Sequence, residues 1–467
     1  MHGRDLAVIG AGPAGMAAAA KAAELGLSVA LLDEQPNAGG QIYRDVDRVA
    51  ALRGDILGKD YTDGAALTAG LRHDRINHIR SAVVWSIEDG FRLFYTKNGR
   101  GAQVAAGRVL LATGALERPM PLPGWTLPGV MTAGAGQILL KQSGVVARNA
   151  VLAGSGPLLY LIAAQMVCAG KPPAALVETQ TTGDMIGAMR HLNGALRGWT
   201  YLVKGLKMLA MISRAGVPRY TGATGLAIDG GERAEAVRFT RRGRTHRIVC
   251  DTVFLHHGVV PNTQAARSLG VAHAWDAAQS CFVPSVDDWG QSDVPGIWIA
   301  GDGTGIGGAK AAEIAGRLAA LKIAEQMGRL TASARDAQAA PLRASRSRER
   351  AARPFLDAAY PPYDGAIAPA DDTVVCRCEE VTAGEIRSYA KLGCLGPNQT
   401  KAFGRAGMGP CQGRYCGLTV TALLAEANGR TPDETGHYRI RPPLKPVALG
   451  ELAAMDNQTQ DAVGRPI

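Results

Sequence analysis

Four cysteines near the end of the chain have the spacing of a metal-binding set. The pattern is Cys376-x-Cys378, then 32 intervening residues, then Cys411-x4-Cys416. Four thiolates supply the charge and softness that hold two iron ions bridged by sulfide. Tetrahedral zinc is the alternative, although the single residue between the first two cysteines is tighter than the usual zinc spacings. The pattern therefore favours a [2Fe–2S] cluster, and Cys394, which lies between the pairs, is interpreted as a non-ligand.

A glycine-rich turn near the start of the chain has the spacing of a dinucleotide-binding fingerprint. It follows an apolar run at 5–10 and precedes an alanine-rich helical stretch. In this setting the first glycine permits a tight turn, the second lets the backbone approach a pyrophosphate, and the third lets the helix pack on the strand. Asp33, 23 residues after the first glycine, is placed to accept hydrogen bonds from a ribose, and Glu34 competes with it. The residues of the turn are Gly10, Gly12, Pro13, Ala14 and Gly15.

A second turn of this kind lies in the middle of the chain. Gly154 and Gly156 match the first two glycines, but Leu159 takes the third position. Glu178 ends the next strand and is predicted to hold a ribose, and no Arg or Lys follows it closely, which disfavours a 2′-phosphate. The sequence predicts an adenine-nucleotide site for NAD(H) or for a structural ADP or ATP, with a vestigial, empty site as the alternative.

Composition and charge limit the classes of function. The 467 residues exceed one compact core, and 46% hydrophobic with 20% charged residues is typical of a soluble globular protein. Neither a transmembrane helix nor a signal peptide is predicted, so a cytoplasmic location is expected, where a cysteine cluster indicates metal more often than disulfides. The net charge of +10 is concentrated partly at 241–247 and 343–353, without interleaved aromatics. This pattern predicts solvated faces or contact with an acidic partner protein, and no nucleic acid.

The order of the remaining motifs resembles the two-dinucleotide-domain flavoproteins, the fold of thioredoxin reductase and glutathione reductase. The motifs are PNAGGQIYR (36–44), VLLATGALERP (109–119) and GIWIAGDGTGIGGAK (296–310), and the resemblance covers residues 1–330. It implies FAD as cofactor. In such proteins the aspartate of the late Gly-Asp pair binds the ribityl chain, and the helix after it points its N-terminus at the flavin. Beyond the first turn and its acids, the resemblance assigns FAD contacts to Gln35, Gly40, Gln41, Val83, Ala112, Thr113, Gly114, Gly301, Asp302, Gly308 and Ala309.

The redox cysteine pair of the disulfide reductases is missing from this sequence. PNAGGQIYR contains no cysteine, and Cys168 and Cys250 are isolated and are interpreted as small core residues. The chain is therefore not expected to reduce disulfides. His257, in the segment that returns to the flavin half, is a speculative catalytic base, and a structural histidine at a strand end is the alternative.

The cysteine segment is similar to the [2Fe–2S] module of bacterioferritin-associated ferredoxin. The whole architecture, including GWTLPGVMTAGAGQ (124–137), resembles the alpha-type subunits of opine oxidases and of D-hydroxyproline and dye-linked proline dehydrogenases, and the corresponding subunit of hydrogen cyanide synthase. This resemblance implies that the partner is an amine-oxidase-type flavoprotein β subunit, with FMN at the subunit interface. A small third subunit is a further implication, and so is peripheral contact with the respiratory chain.

The predicted fold class is α/β, with two Rossmann-like dinucleotide-binding domains and a small C-terminal helical [2Fe–2S] domain. The predicted segments are 1–125 (first part of the FAD domain), 126–258 (second nucleotide domain), 259–330 (second part of the FAD domain), 331–371 (linker), 372–430 (cluster domain) and 431–467 (tail).

The resulting hypothesis is an electron-transfer subunit of a heteromeric dehydrogenase that oxidises a secondary-amine amino acid of the D-hydroxyproline, proline or opine type. A flavin takes electrons in pairs and a [2Fe–2S] cluster passes them singly, so the combination converts one mode into the other. The first alternative is a self-contained NADH-dependent reductase, as in assimilatory nitrite reductases. A non-enzymatic module that senses iron or docks bacterioferritin is the second alternative.

Overall fold

The computed structural model of the chain describes residues 3–455. Within that range the strands, in chain order, are β1 (Arg4–Ile9), β2 (Val29–Leu32), β3 (Ile76–Ile79), β4 (Val83–Glu88), β5 (Arg92–Lys97), β6 (Arg100–Leu111), β7 (Ala115–Glu117), β8 (Val130–Thr132), β9 (Ala150–Gly154), β10 (Ala175–Glu178), β11 (Arg219–Thr221), β12 (Thr224–Asp229), β13 (Ala236–Arg241), β14 (Arg244–Val249), β15 (Thr252–His256), β16 (Val259–Pro261), β17 (His273–Asp276), β18 (Cys281–Pro284), β19 (Ile297–Ile299), β20 (Val374–Cys376) and β21 (Val381–Thr382).

The α-helices of the same range, in chain order, are α1 (Pro13–Glu24), α2 (Val46–Leu57), α3 (Lys59–Thr62), α4 (Ala65–Ala69), α5 (Ala133–Ser143), α6 (Pro157–Cys168), α7 (Thr182–Ala188), α8 (Leu192–Arg197), α9 (Trp199–Arg214), α10 (Gln264–Ser268), α11 (Ala309–Gln326), α12 (Ala332–Arg350), α13 (Arg353–Ala359), α14 (Asp364–Ile367), α15 (Ala383–Lys391), α16 (Pro397–Gly404), α17 (Gly417–Asn428), α18 (Pro432–Thr435) and α19 (Leu449–Ala453). None of the helices in residues 3–455 is both long and apolar enough to cross a lipid bilayer.

The flavin half is built on a seven-stranded sheet. Its order is β3-β2-β1-β6-β5-β4, with β19 paired to β6. β2 and β19 are short apolar runs with every residue buried, which is what a parallel sheet covered by helices on both faces requires. β1 leads into α1 and β19 leads into α11, and these two helices pack along each other. The sheet therefore brings the early glycine turn and the late Gly-Asp turn to the same edge.

The second nucleotide-binding unit has a five-stranded parallel sheet of its own. Its order is β11-β10-β9-β15-β8, and α6 follows β9 through the second glycine turn. An antiparallel sheet of β12, β13 and β14 lies beside it in the chain, and the basic run at 241–247 forms the turn and second strand of its outer hairpin. The first sheet is parallel from β3 through β6 with β19 and antiparallel over β4–β6, and the second is parallel throughout. Two such sheets, each with a strand–turn–helix unit, confirm the predicted α/β class.

The cysteine segment forms a small module of the ribbon β20–β21 and helices α15 to α17. Its buried side chains Val375, Ile386 and Val420 belong to the same continuous apolar cluster as Ile9 and Ile299 of the first sheet. The module therefore packs directly on the flavin half.

Residues 331–371, for which the sequence favours a linker, are largely helical in the structure. α12 lies along α11, where Ala339 is buried against Leu318, and α13 buries Phe355 against α7 and α8. Alanine and arginine are compatible with both a tether and an amphipathic surface helix, so composition alone does not separate the two.

The tail also packs against the body of the protein. Tyr438 is buried, and its hydroxyl donates a hydrogen bond to the Ala406 carbonyl at 2.9 Å. The last part of the predicted tail, residues 456–467, lies outside the described residues.

The contact between the tail and the β17–β18 hairpin is expected to weaken in acid. The rings of His273 and His437 lie 5.4 Å apart, and burial, reinforced by Arg267, lowers the pKa of His273 to about 3 and that of His437 to about 4. The unfolded chain takes up these protons near pH 6.5, so the free energy of unfolding falls as pH drops from 6.5 towards 4, by up to about 1.4 kcal/mol per pH unit for each histidine.

Urea unfolding at pH 7 and pH 4.5 measures this effect. The variant His437→Gln should lose part of the pH dependence, whereas His73→Gln, which changes an exposed histidine, should keep all of it. Equal pH dependence in both variants would contradict the assignment.

Candidate functional site

The glycines of the first turn have different reasons to be glycine: the fold requires Gly15, whereas Gly12 leaves space for a ligand. A Cβ atom on Gly15 would lie 1.8 Å from the Gly10 carbonyl oxygen, so the protein itself forbids any side chain there. A Cβ on Gly12 would meet only the Gly40 Cα, at 3.8 Å. Pro13, which has no N–H, and Ala14 begin α1, and no side chain caps its first turn, so the N–H groups of Ala14 and Gly15 are available to an anion. The open space at Gly12, beside a helix N-terminus, fits the pyrophosphate of a dinucleotide.

Asp33 lies at the carboxyl end of β2 next to this turn. One of its carboxylate oxygens accepts a hydrogen bond from the Ala11 amide, and the other accepts one from the Gln35 amide at 2.7 Å. Burial raises the pKa of Asp33 above its usual value, while these two amides oppose the shift. Val83 begins β4 just after Ala82, whose amide donates to the Asp33 carbonyl. The carboxylate is therefore fixed at the predicted ribose position.

Residues 40–44 lie on the other side of the first glycine turn and continue the lining of the predicted FAD site. The side-chain oxygen of Gln41 accepts a hydrogen bond from Arg44, and its carbonyl accepts one from Lys141 of α5. Lys141 is almost completely buried, and burial, together with the charge of Arg44, lowers its pKa to about 7. This lysine connects α5 to the loop beside the predicted FAD site.

The late Gly-Asp turn supplies the flavin end of the predicted site. One carboxylate oxygen of Asp302 accepts hydrogen bonds from the amides of Gly307 and Gly308, each at 2.9 Å. This loop sets Gly308 directly before α11, which begins at Ala309. The remaining predicted residues also lie at the carboxyl ends of the sheet strands or in the turns that follow them; they are Ala112, Thr113, Gly114 and Gly301. The arrangement fits FAD, although each residue's contact with it remains a prediction.

At the second glycine turn, the structure does not leave Glu178 free for a ribose. Glu178 is fully buried, and Arg219 pairs with both of its oxygens at 2.9 and 3.0 Å. Tyr160 and Gln180 also donate to this carboxylate. The ion pair could not be predicted from the sequence, because Arg219 lies 41 residues after Glu178. The geometry argues against Glu178 as the ribose ligand.

Other polar groups at this turn have no partner in the described structure. They are the hydroxyls of Ser155 and Thr179 and the side-chain oxygen of Gln180. Nε2 of His256 lies 3.0 Å from where a Cβ on Gly156 would stand, and its Nδ1 pairs with Glu117 at 2.7 Å. Buried polar atoms normally have partners, so these groups fit a polar ligand between β9, β10 and α6.

His257 has a structural environment. Its Nε2 lies 2.7 Å from the Pro119 carbonyl, and its Nδ1 accepts a hydrogen bond from the Tyr363 amide. Complete burial, with the charge of Arg118, lowers its pKa well below 6.5. Both ring nitrogens are engaged by main-chain groups, so the geometry favours the structural alternative over a catalytic base.

The four predicted cysteine ligands come together as two pairs. Cys376 at the end of β20 neighbours Cys416 at the start of α17, and both are buried. Sγ of Cys378 lies 3.8 Å from Sγ of Cys411, and this outer pair is nearer the surface. Cys394 is buried apart from them, with its thiol directed at the Gly396 carbonyl.

The electrostatic surroundings of the four thiols differ. The Cys416 thiol and the backbone amides of Gly407, Glu379 and Cys378 lower the pKa of Cys376 to about 6, which favours its thiolate form. Conversely, Cys376 and burial raise the pKa of Cys416 well above its usual value. Four cysteines suit either a [2Fe–2S] cluster or a zinc ion, so the two-iron centre stays a prediction.

Two side chains that the sequence did not single out connect the sites. The indole of Trp125 donates to the Val374 carbonyl at 2.7 Å, two residues before Cys376, and thereby joins the body to the cysteine module. Lys445 of the tail pairs with Glu34. The GWTLPG segment could have pointed to Trp125 as a residue of interest, whereas no local sequence pattern marks Lys445.

The fold and the first site define a two-dinucleotide-domain flavoprotein, an FAD-dependent oxidoreductase. A family model described as pyridine nucleotide-disulphide oxidoreductase matches residues 4–328, and one described as sarcosine oxidase A3 domain matches residues 371–456. The chain is 45% identical to the alpha-type subunit of opine oxidase from Rhizobium meliloti (strain 1021), over 96% of this chain and 98% of that protein. It is 34% identical to hydrogen cyanide synthase subunit HcnB of Pseudomonas aeruginosa, over 94% of this chain and 96% of that one.

The chain therefore belongs to the pyridine nucleotide-disulphide oxidoreductase family and, over 96% of its residues, to the family of these opine oxidase subunits, which confirms the resemblance drawn from its motifs. Among solved structures, L-proline dehydrogenase from P. horikoshii matches with a TM-score of 0.71 at 19% identity, over 96% of this chain and 79% of that chain. This match confirms the fold.

Proposed function

We propose that this chain is the FAD- and [2Fe–2S]-carrying electron-transfer subunit of a heteromeric dehydrogenase that oxidises a secondary-amine amino acid. The observation that carries the proposal is the shared apolar cluster, which fixes the four-thiol module on the flavin sheet. A chain that held the two sites on separate bodies would not need this contact. The 45% identity to an opine oxidase subunit favours an opine over proline or hydroxyproline as the substrate class.

FAD, when bound, would accept electrons in pairs and give them up one at a time, and a [2Fe–2S] cluster would carry these single electrons. The protein's part is to hold these groups rigidly and to exclude water between them. Asp302 and the start of α11 hold the flavin end, and Asp33 holds the ribose end. The inner thiol pair, Cys376 and Cys416, is enclosed by the core, while the outer pair lies near the surface, where a further electron carrier can approach.

Oxidation of the C–N bond is assigned to a partner flavoprotein subunit. Relatives are described as subunits, which supports a heteromeric enzyme. In the described part of this chain the two nucleotide-binding sheets and the small module take up most of the fold, and the separate antiparallel sheets have only two or three strands each. FMN at the subunit interface and a small third subunit follow from the family resemblance.

Reconstitution tests this proposal. The chain is purified alone and together with the flavoprotein subunit that co-purifies with it from the native host, and each sample is given opines, proline and D-hydroxyproline with a dye acceptor. Dye reduction only by the complex, with bleaching of visible absorbance in this chain, is the expected result. The proposal would be contradicted if the isolated chain oxidised the substrate. It would also be contradicted if the partner subunit reduced the dye equally well without this chain.

A self-contained NADH-dependent reductase is the second candidate. The observation that favours it is the set of buried polar atoms without partners at the second glycine turn, Ser155, Thr179 and Gln180. The buried Glu178–Arg219 pair weighs against it, because no free acid is left for the ribose. NADH mixed with the isolated chain and a dye distinguishes the candidates: rapid oxidation supports the reductase, whereas binding of NAD or ATP without turnover supports a structural nucleotide.

A further inference from the structure

The segment 438–448, here called the C-terminal strap, runs from the cysteine module back to the flavin half. At its start Tyr438 is buried in the module, and further along the Leu444 amide donates to the Trp85 carbonyl of β4 at 2.7 Å. Between these points, the side chain of Gln412 donates to the carbonyls of Arg441 and Pro443. The strap is thus fixed at both ends.

This path brings Lys445 to the predicted adenosine end of the FAD site. Its ammonium pairs with the carboxylate of Glu34, 411 residues away in the sequence. Glu34 directly follows Asp33, the carboxylate fixed at the ribose position. Burial lowers the pKa of Lys445, and the negative charge of Asp33 opposes that shift.

The ion pair with Glu34 alone does not account for this position. The side chains of Glu34 and Lys445 are 43% and 35% exposed, and pairs at such sites contribute little to stability. The strap already has its main-chain anchor at Leu444. By contrast, two adjacent carboxylates at a ribose site repel each other, and an ammonium beside them offsets this repulsion. An ammonium has three donors, and the pair with Glu34 uses one.

We propose that Lys445 completes the adenosine end of the FAD site. Its ammonium offsets the charges of Asp33 and Glu34 and donates a hydrogen bond to a ribose hydroxyl oxygen of the bound dinucleotide. The strap therefore couples FAD binding to docking of the cysteine module, because the residue that contacts the cofactor is anchored in both. This proposal rests on Asp33 as the ribose ligand, and is independent of the substrate and of iron.

Coupling of this kind is reciprocal. If the docked strap strengthens FAD binding, FAD must strengthen docking of the strap by the same factor. Protease cleavage within residues 441–448 reports on this docking, because cleavage requires the segment to leave the surface.

The decisive experiment compares Lys445→Met with Arg441→Met, which removes the same charge from an exposed position on the same strap. The FAD dissociation constant of the deflavinated protein is measured by titration, without substrate or partner. We expect about a tenfold increase for Lys445→Met, the size of one charge-assisted hydrogen bond, and no change for Arg441→Met. Lys445→Arg should restore most of the affinity.

Limited proteolysis of the same proteins distinguishes the proposed coupling from a purely structural anchor. FAD should slow strap cleavage in the wild type and in Arg441→Met, but not in Lys445→Met. Equal FAD affinity in Lys445→Met and Arg441→Met would overturn the proposal and leave the proposed function intact. A wild-type chain that binds no FAD would overturn both.

Discussion

Replacing Cys416 by serine should leave a protein that retains FAD but contains no acid-labile sulfide. Cys416 is 3% exposed and belongs to the inner thiol pair at the start of α17. A serine hydroxyl is not ionised at neutral pH and is a hard ligand, so it binds iron of such a cluster much more weakly than a thiolate does. Iron and sulfide should fall from two of each per chain to close to none, and the absorbance beyond the flavin bands should disappear.

Cys394→Ala is the matched control for this change. Cys394 is also buried in the module, but its thiol is directed at the Gly396 carbonyl and not at the other cysteines. This variant should keep full iron and sulfide content with only a small loss of stability. If the wild-type protein instead holds one zinc ion per chain without sulfide, the two-iron assignment is wrong, and with it the proposed route for single electrons.

A complex that contains Cys416→Ser tests whether the cluster itself is needed for electron transfer. The complex that contains Cys416→Ser should still bleach its flavins on addition of substrate, because the residues around FAD are untouched. Electron delivery to a one-electron dye should fall by at least tenfold. An unchanged rate would mean that electrons leave the enzyme from a flavin.

The elements with strong local signals could be predicted from the sequence. The strand–turn–helix units at β1–α1 and β9–α6 follow directly from short apolar runs, fixed glycine spacings and Pro at the first helical turn. The set of four cysteines follows from spacing, but which of them lie together does not, because Cys376 neighbours Cys416 and Cys378 neighbours Cys411 across the two motifs. In the two strand–turn–helix units a few consecutive residues determine the local conformation, so no tertiary information is needed there.

The features that sequence reasoning missed depend on contacts between distant residues. Arg219 reaches Glu178 only because β10 and β11 are neighbours in the second sheet. Neither residue carries a local mark of the pairing. Likewise, the alanine- and arginine-rich segment resembles a linker in sequence because its stabilising contacts, such as those of Ala339 with α11, are small and tertiary. Isolated helices are marginal in water whatever their composition, so these contacts decide whether the segment is helical.

The two glycines at the first turn permit a sharp test of the FAD site. Gly15→Ala should destabilise the protein whether or not FAD is present, because the new Cβ would stand 1.8 Å from the Gly10 carbonyl oxygen. The free energy of unfolding is expected to fall by about 1–3 kcal/mol or more, because α1 has to move away from β1. Thermal unfolding of the deflavinated protein measures this loss.

Gly12→Ala should behave in the opposite way. The protein has room for its Cβ, which meets only Gly40 Cα at 3.8 Å, so the deflavinated variant should unfold at the wild-type temperature. Its FAD affinity should nevertheless fall at least tenfold, because the methyl group occupies the space assigned to the pyrophosphate. If Gly12→Ala binds FAD as tightly as the wild type, the pyrophosphate does not lie at this turn. The requirement for glycine at position 12 would then need another explanation, and the roles assigned to Asp33 and Lys445 would fail with it.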